Sequence, residues 1–152
     1  MILLTEFETL LDRADDENVE VFIFKFKTDL RGIVKNIRIG LNSNLTLQER
    51  TEELYHELAH LQYSTRDLIN YWISNDSLKK YILLKEERYI MEKVFNHFID
   101  INLVVEKAKY CRNDFELAEE LNVSEHLLKE YLKYHVDEVN RLIKRNKAEE
   151  FY

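Results

Sequence analysis

The chain contains no proline and only two glycines, Gly32 and Gly40. Proline and glycine are the residues that most readily interrupt a helix, through a missing N–H and through backbone freedom. Helical patterning can therefore run unbroken over long stretches. The same scarcity excludes the common glycine-rich phosphate loops, which need several glycines to let backbone amides close on a phosphate.

The hydrophobic pattern divides the 152 residues in two. Leu3, Leu4, Phe7, Leu10 and Leu11 have helical spacing over residues 3–13, and a polar break follows at Asp15–Asn18. Val19–Lys27 (VEVFIFKFK) alternates β-branched and aromatic residues and reads as a strand. Gly32–Asn42 reads as two short strands about a tight turn at Lys35-Asn36, since Asn tolerates left-handed geometry. Thr46-Leu47-Gln48-Glu49 is a capping-box signal for a helix running to about Tyr63. Beyond it the pattern is helical throughout: Thr65–Ser74, Leu78–Ile101, Leu103–Tyr110, Asp114–Leu121, and Ser124–Lys144 behind a serine cap. The expected class is α+β, a small, mostly antiparallel sheet of about three strands packed on a mainly helical, zincin-like domain. The length is that of one domain spanning residues 1–152, with a charged tail expected to fray over 145–152.

With 45% hydrophobic and 34% charged residues the chain can build an ordinary core. Its net charge of −7 has the wrong sign for a general nucleic-acid binder. The start, MILLTEFETLLDR, has no basic region or long apolar run, so neither a signal peptide nor a membrane span is expected, and the reading is cytoplasmic. The lone Cys111 forms no internal disulfide; beside Arg112 its thiol is expected to have a lowered pKa, yet no partner His nearby in sequence suggests a nucleophile. Residues 115–131 (FELAEELNVSEHLLKEY) have the outline of a helix-turn-helix. The second helix, however, carries as many acids as lysines in its first ten residues, so a plain helical hairpin is preferred over direct DNA contact.

The most chemically specific feature is His56-Glu57-Leu58-Ala59-His60 inside the capped helix. Residues four apart differ by about 40° around the axis and one turn in height, so both imidazoles can reach one cation at about 2.0–2.1 Å. Glu57 is offset so that it does not ligate and can serve as general base toward a water at the ion. Leu54, Leu58 and Leu61 place one face of this helix in a core, the context the motif requires. A catalytic zinc normally takes three protein ligands. Tyr63 and Arg66 occupy the places of the extended-motif glycine and histidine, so the third ligand comes from elsewhere, with Glu86, Glu87, Glu92 and His97 as candidates. Tyr55, Tyr63 and Tyr89 are candidate oxyanion donors.

A strand IRIGLNSNL, the helix TLQERTEELYHELAHLQY, the helix KEERYIMEKVF some 25–30 residues later, and the segment LAEELNVSEHLLKEYL together resemble the ImmA/IrrE family of small zinc metallopeptidases over residues 19–140. The chain departs from the family pattern at Ala59, Ile90 and Met91, where Gly, Ala and Asn or Asp are common. The resemblance implies His56, His60 and Glu87 as metal ligands for Zn2+ and Glu57 as the catalytic base. It also implies a phage or mobile-element setting and a helix-turn-helix transcriptional repressor as protein substrate. The alternative is a non-catalytic antirepressor that binds the repressor, with a structural or vestigial metal site.

Overall fold

A computed structural model describes residues 4–64 and 76–150. The elements are α1 (Glu6–Asp16), β1 (Glu20–Phe24), β2 (Gly32–Lys35), β3 (Arg38–Asn42), α2 (Leu47–Tyr63), α3 (Ser77–Phe98), α4 (Ile101–Ala108), α5 (Asp114–Leu121) and α6 (Glu125–Glu149). The class is α+β, as expected. The chain forms two compact units, Met1–Val94 and Phe95–Tyr152. The helix expected at Thr65–Ser74 lies outside the described residues. Among the described residues, no helix is long and apolar enough to cross a membrane.

In the first unit, α1 starts three residues later than its apolar spacing suggested, because Thr5 caps it. The Thr5 hydroxyl accepts from the Glu8 N–H, and Glu8 returns a carboxylate to the Thr5 N–H at 2.7 Å. The helix ends where Asn18 turns left-handed at φ 57°, with the Val19 N–H donating to the Ala14 carbonyl and the Asn18 N–H to that of Asp15. The sheet has the order β1-β3-β2. β2 and β3 form the expected hairpin, turned at Asn36 with φ 56°.

β1, however, pairs with β3 in parallel, so the sheet is mixed rather than mostly antiparallel. Alternation in sequence fixes which face each residue takes, but it carries no information on strand order. Residues 25–31 carry the chain from one edge of β3 to the other, and the first strand thus runs alongside the third.

Ile39 and Leu41 on the inner face of β3 are fully buried, and so are Leu54 and Leu58 of α2. With Phe7, Leu10, Ala14 and Val19 they make the core that joins α1, the sheet and α2. Burying four such aliphatic side chains contributes about 1.5–3 kcal/mol each relative to exposure, which fixes the face that α2 turns to the sheet. His56 and His60 then fall on the more exposed side of α2, while Glu57 stays buried toward β2.

In the second unit, Phe95 packs edge-on against Tyr131 at 5.5 Å, and Tyr131 stacks on His135 at 4.5 Å. Asn122 turns left-handed between α5 and α6, and the Ser124 hydroxyl caps α6 by accepting from the Leu127 N–H. The two helices form a tight hairpin. α6 continues to Glu149, through most of the tail expected to fray.

Candidate metal centre

α2 carries the site because its start is well fixed. The Thr46 hydroxyl accepts from the Glu49 N–H at 3.2 Å, while the Glu49 carboxylate takes a 2.8 Å ion pair from Arg31. About two turns beyond Glu49, His56 and His60 lie with ring centroids 4.8 Å apart. Their Nε2 atoms are 3.1 Å from each other. Glu87 of α3 closes the group, its Oε1 at 2.9 Å from His56 Nε2 and its Oε2 at 3.0 Å from His60 Nε2. Four ligands placed tetrahedrally about 2.0–2.1 Å from a zinc ion are separated by about 3.3 Å. Two imidazole nitrogens, 3.1 Å apart, and the two oxygens of one carboxylate, each 2.9–3.0 Å from one of them, are thus of the donor type zinc takes and close to that spacing.

Of the four third-ligand candidates, Glu87 is the one brought to the histidines. Glu86 accepts from the Ser64 hydroxyl at 3.4 Å, Glu92 pairs with Arg88 at 4.0 Å, and the His97 ring packs edge-on against Phe98. Glu87 reaches inward because Ile90, one turn later on the same side, is fully buried and sets the helix's rotation.

Glu57 lies on the other side of His56: a Glu57 oxygen, a Glu53 oxygen and a His56 ring nitrogen are within 4.8 Å of one another and form a second group able to hold a metal. The Glu57 side chain is buried, and an oxygen lies 3.1 Å from where a Cβ on residue 32 would sit. It is held beneath the start of β2, next to Glu53. Burial pushes the Glu57 carboxyl up; the charge of His56 opposes this, the Glu53 carboxylate adds to it, and the result is about 8. For His56, burial alone would lower the ring's pKa. Hydrogen bonding to Glu53 and Glu87 outweighs it and raises the value to about 10. Glu87 shows the reciprocal effect: burial works against its charge, yet bonds from both histidines hold it well below the usual carboxylate range.

The motif reading missed Glu53. It sits three residues before His56, hence on the same helix face, and its Oε1 lies 3.5 Å from His56 Nδ1. That i,i+3 spacing was the available signal.

The tyrosines have other partners. Tyr63 and Tyr89 meet edge-to-face at 6.2 Å with the Lys93 ammonium over both rings, and Tyr55 packs against the first unit's core. The thiol pKa of Cys111 is raised, not lowered as its neighbour Arg112 suggested. Partial burial and then the Glu120 and Glu116 carboxylates push it up, outweighing the Lys107 ammonium. Compared with known proteins, the chain matches no family model, no curated protein and no solved structure.

Proposed function

We propose that the chain is a zinc-dependent endopeptidase acting on a protein substrate. The observation that carries this reading is the convergence of His56 Nε2, His60 Nε2 and the Glu87 carboxylate, at 2.9–3.1 Å from one another with one Glu87 oxygen on each imidazole, and the buried Glu57 one residue after His56. Two neutral nitrogens and one carboxylate are the donor set of many hydrolytic zinc sites, and they leave a fourth position for water or substrate. Zinc bound there supplies a Lewis acid that polarises the scissile carbonyl and favours loss of a proton from water.

The remaining chemistry belongs to the chain. Glu57 accepts a proton from the water whose oxygen forms the new bond to the carbonyl carbon. It returns that proton to the leaving nitrogen as the C–N bond breaks, giving a carboxylic acid and an amine. A carboxylate held by burial one residue after His56 supports that role. His56, His60 and Glu87 hold the reacting centre in place.

The sequence resemblance to ImmA/IrrE peptidases supports a helix-turn-helix repressor as substrate and a phage or mobile-element setting in the cytoplasm. The test is Glu57→Gln, co-expressed with a helix-turn-helix repressor that the parent chain inactivates. The variant should keep its zinc and its fold while repressor cleavage disappears. If Glu57→Gln relieves repression as well as the parent does, the chain acts by binding the repressor and the peptidase reading is wrong.

A further inference from the structure

The metal reading leaves unexplained why one of only two glycines sits against α2, and why a second acidic side chain is folded beneath it. Gly32 opens β2. Its φ is not positive, so no backbone requirement calls for glycine there. Space does: a Cβ would lie 2.8 Å from both Cγ and Oε1 of Glu53. The absent side chain is the slot that Glu53 occupies.

Glu53 is held from the far side. Arg31 Nε lies 3.9 Å from Glu53 Oε2, while its Nη2 pairs with Glu49 Oε2 at 2.8 Å, so one guanidinium spans two successive turns of α2. Arg31 is itself fixed by β3. Its carbonyl accepts the Asn42 N–H at 2.8 Å, and the Leu30 carbonyl accepts Asn42 Nδ2 at 2.9 Å; Asn42 is buried. A chain of contacts thus runs from the end of β3 through Arg31 to Glu53 and on to His56 Nδ1 at 3.5 Å.

An imidazole has two ring nitrogens, and a partner on one determines which way the other points and how basic it is. Resting on the metal reading above, we propose that Glu53, seated in the Gly32 slot and held by Arg31, is the positioning residue for His56. It accepts the Nδ1–H and so commits Nε2 to the point where His60 and Glu87 converge. The role belongs to Glu53 rather than Glu57: the geometry gives Glu57 no contact with Arg31, and its catalytic task requires it to exchange a proton. β2 and β3 thereby act on a helix-borne ligand without contributing a ligand themselves.

The experiment compares zinc binding to the full chain, by competition with a chromogenic chelator, with long-range nitrogen–proton NMR of the His56 ring in metal-free protein. Glu53→Leu should weaken zinc by about 10- to 100-fold, and Glu53→Gln, which keeps an acceptor oxygen, should recover most of that loss. Arg31→Met leaves Glu53 intact and replaces a partly exposed residue that also pairs with Glu49; it should weaken zinc in the same direction by about threefold or more. In metal-free protein the Nδ1 proton of His56 should exchange slowly with water in the parent and rapidly in Glu53→Leu. Folded Leu and Met variants that bind zinc like the parent, a Gln variant no better than Leu, or an unchanged ring spectrum would each overturn the assignment. A parent chain with no zinc affinity would refute the metalloenzyme reading instead, and the ring-proton comparison would still decide whether Glu53 holds His56.

Discussion

Gly32→Ala offers a test whose sign separates two lines of reasoning. On a strand with ordinary backbone angles, alanine in place of glycine normally stabilises by about 0.4–1 kcal/mol, because the unfolded chain loses freedom. Here the added methyl would lie 2.8 Å from Glu53 Cγ and Oε1 and 3.1 Å from Glu57 Oε1. Carbon atoms in contact prefer about 3.5–4.0 Å, so the overlap with Cγ is about 0.7 Å or more. Cγ is near the root of the Glu53 side chain and cannot move without the whole carboxylate leaving Arg31 and His56. Overpacking of this kind costs about 1–3 kcal/mol, which exceeds the entropic gain. A net loss of about 1–2 kcal/mol should lower the melting temperature by a few degrees for a chain of this size. Urea denaturation followed by far-ultraviolet circular dichroism measures the difference directly. Gly40→Ala is the control. Its Cβ would meet Phe24 Cε1 at 3.1 Å and Cζ at 3.5 Å, the far end of a half-exposed ring, and Ile33 Cγ2 at 3.2 Å, on a half-exposed side chain that holds no ion pair in place and can rotate. That substitution should change stability by no more than about 0.5 kcal/mol. If Gly32→Ala proves as stable as the parent, the slot does not constrain Glu53 and the close-packing argument fails.

Further outcomes follow from the site's electrostatics and the core. His56 titrates near 10 and must lose its proton to ligate, so apparent zinc affinity should climb about tenfold per pH unit from 6.5 toward 10, measured by chelator competition. In metal-free protein the same groups set the pH dependence of stability. His56 is raised from 6.5 to about 10 and Glu57 from 4.5 to about 8, so their contributions are complete below the unfolded values and are lost as pH rises through the folded ones. Glu87 is depressed, so its contribution is present above 4.5 and is lost as the pH falls below that. The urea midpoint in the presence of a chelator should therefore fall between pH 6.5 and 10; a flat or rising profile contradicts these shifts. Leu54→Ala, which empties a fully buried position, should cost about 2–5 kcal/mol by the same denaturation assay.

Much of the site can be read from residue order because it lies on one helix. Thr46 fixes the helix start, the four-residue spacing fixes the mutual direction of His56 and His60, and the apolar Leu54 and Leu58 fix the buried face. All three signals are local. Glu87 is 27 residues beyond His60; its spacing from Ile90 and Val94 favours it over Glu86 and Glu92 without deciding between them, and the resemblance strengthens that choice before the geometry brings Glu87 to the histidines. The strand pairing was less legible. The hairpin of β2 and β3 follows from a short turn, but the parallel partnership of β1 with β3 depends on which edge the returning chain takes, and alternation does not encode that. Arg31 was invisible as a contributor for the same reason: 22 residues separate it from Glu53, and only the sheet brings them together.

Asn18, Asn36 and Asn122 all adopt left-handed backbone angles, with φ values of 55–57°. Asparagine tolerates this conformation at some steric cost, whereas glycine meets none. Glycine, however, widens the range of shapes open to a denatured chain and so increases the entropy surrendered when a turn closes. By placing asparagine at these reversals and reserving glycine for close approach, the chain keeps its disordered state comparatively stiff. Each turn then starts from a smaller conformational ensemble than a glycine-built turn would.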